Sequence, residues 1–393
     1  MNDYSHIKIM QALEIIRGYA FNEPLHIWLK QYFLLKKKMG SRDRKHVKMI
    51  VYSWFRIGRA LPKLDTIHRM KVAIFLTHSE EDPLIRSCIR QTPFEETRLD
   101  YTLDEKLALV KESYPDFDLK NIFPFYNLLS ETIDSDEFAK SFLTKPHVWI
   151  RFREEFKEEI LKDLDAYAIT HFETEVSKTA YGFEATTELT KMASYSRGYF
   201  EIQDLSSQMT GEFFDPKSGE HWYDCCAASG GKSLMLHSKC NDVNLVVSDT
   251  RKAILNNLND RFKKVGLTNY TTHQIEIGKD AMPFHGEIFD AIIVDAPCSG
   301  SGTWTRTPDS LLSFKKSQLT IYLELQKNIV ESVIPFLKKG GRLFYITCSV
   351  FQAENEDQVE LIKNLGFTVV QQKIIPGYKM MADTMFMAYL TKN

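Results

Sequence analysis

Two cysteines, each directly followed by serine, end two apolar runs in the C-terminal half of the chain. Cys298 lies in Asp295-Ala296-Pro297-Cys298-Ser299-Gly300-Ser301-Gly302, after the run Phe289 to Val294. Cys348 lies in Tyr345-Ile346-Thr347-Cys348-Ser349, after Leu343 to Ile346. Short apolar runs of this kind read as buried strands, so both thiols are expected at one edge of one sheet. Two thiols and a carboxylate at such an edge suit methyl transfer to a pyrimidine carbon. Cytosine carbon 5 is too weak a nucleophile to attack a methyl sulfonium unaided. A thiolate that adds to carbon 6 puts electron density on carbon 5. Ring nitrogen 3 then needs a hydrogen-bond donor, and a base must take the carbon-5 proton before the thiolate leaves. Asp295, Cys298 and Cys348 can supply these parts. A single strand-end cysteine is usually a small buried apolar residue. Two of them, each beside serine and one within Asp-x-Pro-Cys, fit that description poorly.

A third apolar run upstream closes on Cys226-Ala227-Ala228-Ser229-Gly230-Gly231-Lys232. Glycines there allow close backbone approach to a ligand, and a helix opening near Lys232 offers free N–H groups. The stretch differs from an NTPase phosphate loop, because Cys226 stands where the first glycine would be required. Asp249 closes the next strand about 20 residues on, the place from which a carboxylate can bind ribose hydroxyls. Asp280 follows the third strand and is placed to meet an adenine edge. Together these point to a nucleotide-like cofactor.

The elements that must position these residues form a series. From about residue 196 strands and helices alternate, the pattern of a doubly wound α/β sheet of Rossmann type. Strands are expected at Trp222 to Cys226, Leu245 to Asp249, Thr271 to Ile277, Phe289 to Ala296, Arg342 to Cys348, Phe367 to Ile375 and Met385 to Leu390. Residues 141–195 read as a small α+β module: a strand at Val148 to Phe152, a helix at Phe156 to Leu164, and strands near Phe172 to Val176 and Gly182 to Ala185. Residues 1–140 read as all-α, with a helix through His26 to Leu35 and another capped by Ser41 and running through Tyr52 and Phe55.

The chain has 393 residues and a net charge of -2, with 44% hydrophobic and 26% charged residues. The charge is unevenly divided: the first 71 residues hold 15 Lys and Arg against 5 Asp and Glu. A basic segment on an otherwise acidic chain fits a phosphate-backbone partner. No run of about 18 apolar residues is present, so no membrane span is expected. No signal-peptide core is evident, so a cytoplasmic location is expected. The six cysteines fit neither a disulfide framework nor a zinc site. Reduced thiols, no metal and a monomer are expected.

These motifs resemble the RsmB/Sun family of S-adenosylmethionine-dependent RNA cytosine-5 methyltransferases. The resemblance covers residues from about 141 to 393 and rests on Gly198-Tyr199-Phe200-Glu201-Ile202-Gln203-Asp204-Leu205-Ser206-Ser207-Gln208, the 226–232 loop, Asp295 to Gly302, and Thr347-Cys348-Ser349 with Glu354-Asn355-Glu356. It implies that Cys348 is the nucleophile, that Cys298 assists release of the product, and that Asp295 engages the cytosine. It also implies that Lys232 orients the site, and that Cys226 to Lys232, Asp249, Asp280 and Asp295 bind S-adenosylmethionine. In DNA cytosine-5 methyltransferases the Pro-Cys thiol is the nucleophile instead, and the Thr-Cys-Ser element favours RNA. Gly40-Ser41-Arg42-Asp43-Arg44 with Tyr52 and Arg56 resembles a NusB-like RNA-binding region. Departures are Ser229 for the usual loop proline, expected to loosen the turn, Ile254 for a common arginine, and Asp383-Thr384-Met385-Phe386 for Gly-Asp-Gly-Phe-Phe. Ribosomal RNA is the expected substrate. Transfer RNA is the first alternative, and a non-catalytic ribosome-assembly factor is the second. An exocyclic-amine methyltransferase would want Asn/Asp-Pro-Pro-Tyr where Asp-Ala-Pro-Cys stands.

Overall fold

Side-chain caps start most of the N-terminal helices. Asp65 accepts from Ile67 N and His68 N, Asp82 from Leu84 N and Ile85 N, and Thr102 with Glu105 forms a reciprocal capping box. The helix Ser41–Arg56 is an exception: Gly40 holds its cap position without a side-chain bond, so Ser41 is the first helical residue and not the expected cap. In the computed structural model, which describes residues 4–286 and 288–393, these helices belong to one of two compact units. That unit takes the chain up to Asn127, Asp134–Lys145 and Trp304–Lys315. Its core includes Ile9, Leu13, Val47, Ile50, Phe55, Ile74 and Phe75, all buried. Tyr52 is half-buried, and Arg56, which the sequence places in a stretch resembling a NusB-like RNA-binding region, turns inward. Arg56 Nη1 donates to the carbonyls of Phe142 at 2.9 Å and Thr144 at 2.6 Å, just past the helix Ser135–Ser141. Those carbonyls end a helix and need donors, which a buried guanidinium supplies. Lys36, Lys37, Lys38, Arg42, Lys45 and Lys48 remain exposed.

The second unit, Leu128–Ile133, Pro146–Thr303 and Lys316–Asn393, holds two sheets. The small one has the order β2-β1-β3, with β1 (Val148–Phe152) antiparallel to β2 (Ala180–Phe183) and to β3 (Phe200–Ile202). The strand expected near Phe172 to Val176 is absent. Phe172 makes only a single bridge to Gly182. The third strand is instead Phe200–Ile202, beyond the module's expected end at 195, because Ile150 and Phe152 pair with it in register. The helix Lys157–Ala166 buries Ile160 and Leu164 against this sheet.

The large sheet contains β4 (His221–Asp224), β5 (Asn244–Asp249), β6 (Tyr270–Gln274), β7 (Phe289–Asp295), β8 (Leu337–Thr347), β9 (Phe367–Ile375) and β10 (Met385–Lys392). Its order is β6-β5-β4-β7-β8-β10-β9, with β10 antiparallel to both of its neighbours and the other pairs parallel. Successive residues face opposite sides. Trp222, Ile293 and Phe344 enter one core with Leu234 and Leu258, whereas Tyr223, Ile292 and Tyr345 enter the other with Val330 and Val359. Helices therefore cover both faces, and the doubly wound α/β architecture is the one expected. Among the described residues no helix is long and apolar enough to cross a membrane.

Arg56→Ala is expected to lower the stability of the helical unit by about 2 kcal/mol or more, because it strips charge-assisted bonds from buried carbonyls. Urea unfolding checks this, and an unchanged midpoint would count against the inward role of Arg56.

Candidate active site

The register of β7 on β8 places Asp295 opposite Ile346. Ala296 N continues the ladder to Ile346 O at 2.8 Å. The two loops that follow therefore leave the sheet side by side, and the sulfurs of Cys298 and Cys348 lie 3.5 Å apart. Gly302 N donates to Cys348 O and Thr384 N donates to Gly302 O, both at 2.9 Å. A Cβ at residue 302 would stand 1.9 Å from Thr384 O, so only glycine permits this approach. The departure at Asp383-Thr384 leaves that backbone tie intact. The Cys298 thiol is pushed well above its ordinary range by its contact with Cys348, then by burial and by the negative charges of Cys348 and Glu354.

Lys232 Nζ lies 2.8 Å from Asp295 Oδ2 and 3.0 Å from Ser207 Oγ, which joins the loop, the Asp-x-Pro-Cys strand end and the 198–208 stretch. The helix Gly231–Lys239 begins at Gly230, whose φ is +83° and which supplies no side-chain cap. A Cβ on Gly230 would lie 2.5 Å from the Phe262 ring. Ser229 does not leave the turn loose. Arg261 Nη1 donates to Ser229 O at 2.6 Å and to Ser229 Oγ at 2.7 Å, and its other nitrogens hold Glu201 Oε2. A proline there would lack the second of these acceptors.

Asp249 accepts from Ala228 N at 3.2 Å and from Arg251 Nε at 2.9 Å. Burial opposes its ionisation, but the bonds from Arg251 hold its carboxyl below the usual range. Asp280 is exposed, and its Oδ2 accepts from Glu276 N at 2.7 Å in a local turn. The strand before it ends at Gln274, three residues short of the expected end.

Some residues of the site were not singled out by type and spacing. Asp224 ends β4 fully buried. Glu354, part of a recognised motif but without an assigned role, lies buried beneath both cysteine loops. Arg261 could have been found from its place beside Leu258 and Phe262 on the buried side of the helix Lys252–Val265. Burial lifts the Asp224 carboxyl to about 7, with the bond from Ser233 Oγ at 2.7 Å opposing that rise. In the unfolded chain an aspartate titrates near ~3.9. Between those values the folded chain keeps a proton that the unfolded chain releases, so this group makes stability fall as pH rises from about 4 to about 7. Asp224→Asn is expected to flatten that fall in urea midpoints measured across the range. A variant with the wild-type slope would contradict it.

Residues 212–389 match the family model described as 16S rRNA methyltransferase RsmB/F. Ribosomal RNA small subunit methyltransferase B of Enterobacter sp. strain 638 is 24% identical over 355 residues, covering 88% of this chain and 80% of that protein. The protein of the same name from Salmonella paratyphi B is 34% identical over 182 residues, covering 46% of this chain and 42% of that one. Among solved structures, the crystal structure of PH0851 aligns over 98% of both chains with a TM-score of 0.71 at 21% identity, a likeness of fold. The matched segment takes in the strands of the large sheet up to Tyr389 and both cysteine loops, and in that segment the chain is similar to the RsmB/F rRNA methyltransferases.

Proposed function

We propose that this enzyme methylates carbon 5 of a cytidine in ribosomal RNA, using S-adenosylmethionine and a covalent adduct to Cys348. The observation that carries the reading is the 3.5 Å separation of two sulfurs at the same sheet edge as the Lys232–Asp295 pair. Transfer to an exocyclic amine requires no second thiol.

The cofactor supplies an electrophilic methyl group. The uncapped first turn at Gly231 offers N–H groups to its carboxylate, and Asp249 offers acceptors to a ribose diol. Arg251 now covers the Asp249 carboxylate, but its side chain is 59% exposed and can swing into water. Cys348 as thiolate adds to carbon 6, forming the S–C bond and shifting the ring electrons toward carbon 5. Asp295, held by Lys232, engages the polar edge of the ring. Once carbon 5 carries the methyl, its proton leaves to a base and the electron pair re-forms the ring double bond as the S–C bond breaks. Cys298, in contact with Cys348, assists that release. The target base must leave its stack to meet both sulfurs.

In this reading residues 1–140 serve as the RNA-binding domain, with Lys36 to Lys38, Arg42, Lys45 and Lys48 meeting phosphates. Residues 141–195 form a second RNA-binding module, and 196–393 the methyltransferase domain. The names of the curated relatives support ribosomal RNA over transfer RNA.

The test uses methyl-labelled cofactor with under-modified ribosomal RNA and, separately, transfer RNA, followed by digestion to nucleosides. The expected product is 5-methylcytidine from ribosomal RNA, lost in Cys348→Ala. Label in 4-methylcytidine, or full activity without Cys348, would overturn the proposal.

A further inference from the structure

Both cysteine loops are tied to one carboxylate. Glu354 is fully buried, and burying a carboxylate is costly unless donors surround it. Four do. Its Oε1 accepts from Ser299 N at 2.8 Å and from Gln326 Nε2 at 3.2 Å. Its Oε2 accepts from Ser299 Oγ and from Ser349 Oγ, each at 2.5 Å. Ser299 follows Cys298 and Ser349 follows Cys348, so each thiol-bearing loop hands a hydroxyl to the same oxygen. Gln326 also donates to Pro297 O at 3.1 Å, which fixes the other side of Cys298. On the Cys348 side, Thr347 Oγ1 donates to Asn355 Oδ1, and Asn355 Nδ2 donates to Ser349 O.

We propose that Glu354 is a positioning residue that pins the Cys298 and Cys348 loops together and sets the separation of their sulfurs. The inference extends the covalent reading above, and its catalytic consequence rests on that reading. Glu354 reaches the two thiol-bearing loops through Ser299 and Ser349. A carboxylate suits the task better than a neutral acceptor, because two hydroxyls, a backbone N–H and a side-chain amide converge on it. Its charge also reaches the sulfurs. The groups facing Cys298 are Cys348, Glu354, Tyr345 and Tyr322, and Glu354 is one of the causes that raise the Cys298 thiol.

The test begins without RNA. Diamide oxidises two neighbouring thiols to a disulfide and is itself reduced to the hydrazide, taking up their two electrons and two protons. Peptide mass mapping of the treated wild-type enzyme should show Cys298 joined to Cys348, and Glu354→Ala should form that bond markedly more slowly. Loss of alignment of this kind costs about 10²-fold in rate, so kcat on ribosomal RNA should fall by about that factor while cofactor affinity stays at the wild-type value. Glu354→Gln keeps one oxygen to accept from Ser299 N and Gln326 Nε2, sets an NH2 group where the two rotatable serine hydroxyls can accept instead of donate, and removes the charge. It should restore disulfide formation and bring alkylation of Cys298 by iodoacetamide to lower pH, which a merely structural role would not do. If Glu354→Ala does not fold, Ser299→Ala with Ser349→Ala replaces it. Wild-type disulfide kinetics and kcat in these variants would overturn the role of Glu354. A wild-type enzyme that modifies no RNA would instead remove the covalent reading and leave the diamide result to decide on Glu354.

Discussion

The pairing of β7 with β8 is the constraint on which the site depends. Parallel register sets Asp295 against Ile346, so the chain leaves both strands at one edge and at one height. A shift of one residue would turn Asp295 and Thr347 to the opposite faces and send the loops apart. That register is itself held by the two cores, because Ile292 and Tyr345 must enter one face while Ile293 and Phe344 enter the other. The separation of the sulfurs is thus a consequence of packing several residues away.

Around that edge, polar groups are joined in a connected set. Lys232 ties the cofactor loop to Asp295, Arg261 ties it to Glu201 in the small sheet, and Glu354 ties the two cysteine loops beneath the sulfurs. Gly302 closes the arrangement from the side of β10, through Thr384. Each link crosses between segments distant in sequence, which holds a site assembled from loops in one geometry.

Much of this was legible in the residues themselves. The inner strands β4, β7, β8 and β10 read clearly because their apolar runs are largely buried on both faces, and Asp295, Cys298 and Cys348 stand at or just past the ends of β7 and β8. The middle region was harder. Phe172 to Val176 has strand-like composition but pairs only at Phe172, and β3 was hidden because Phe200–Ile202 is too short to show a period. Arg56 was read only as part of a NusB-like resemblance, since its inward turn depends on carbonyls 86 and 88 residues away. The same holds for Glu354 and Arg261, whose partners are fixed by tertiary contact and not by local pattern. Asp280 was read from its spacing and from the family resemblance, and the early end of β6 sets it in an exposed turn.

The central claim is that Cys348 bonds to the base and Cys298 releases it. A denaturing gel of protein incubated with S-adenosylmethionine and under-modified ribosomal RNA tests it directly. A denaturant-resistant protein–RNA adduct is expected to accumulate in Cys298→Ala and to be missing from Cys348→Ala and from the double variant. An adduct trapped by Cys348→Ala would exchange the roles of the two sulfurs and contradict the account.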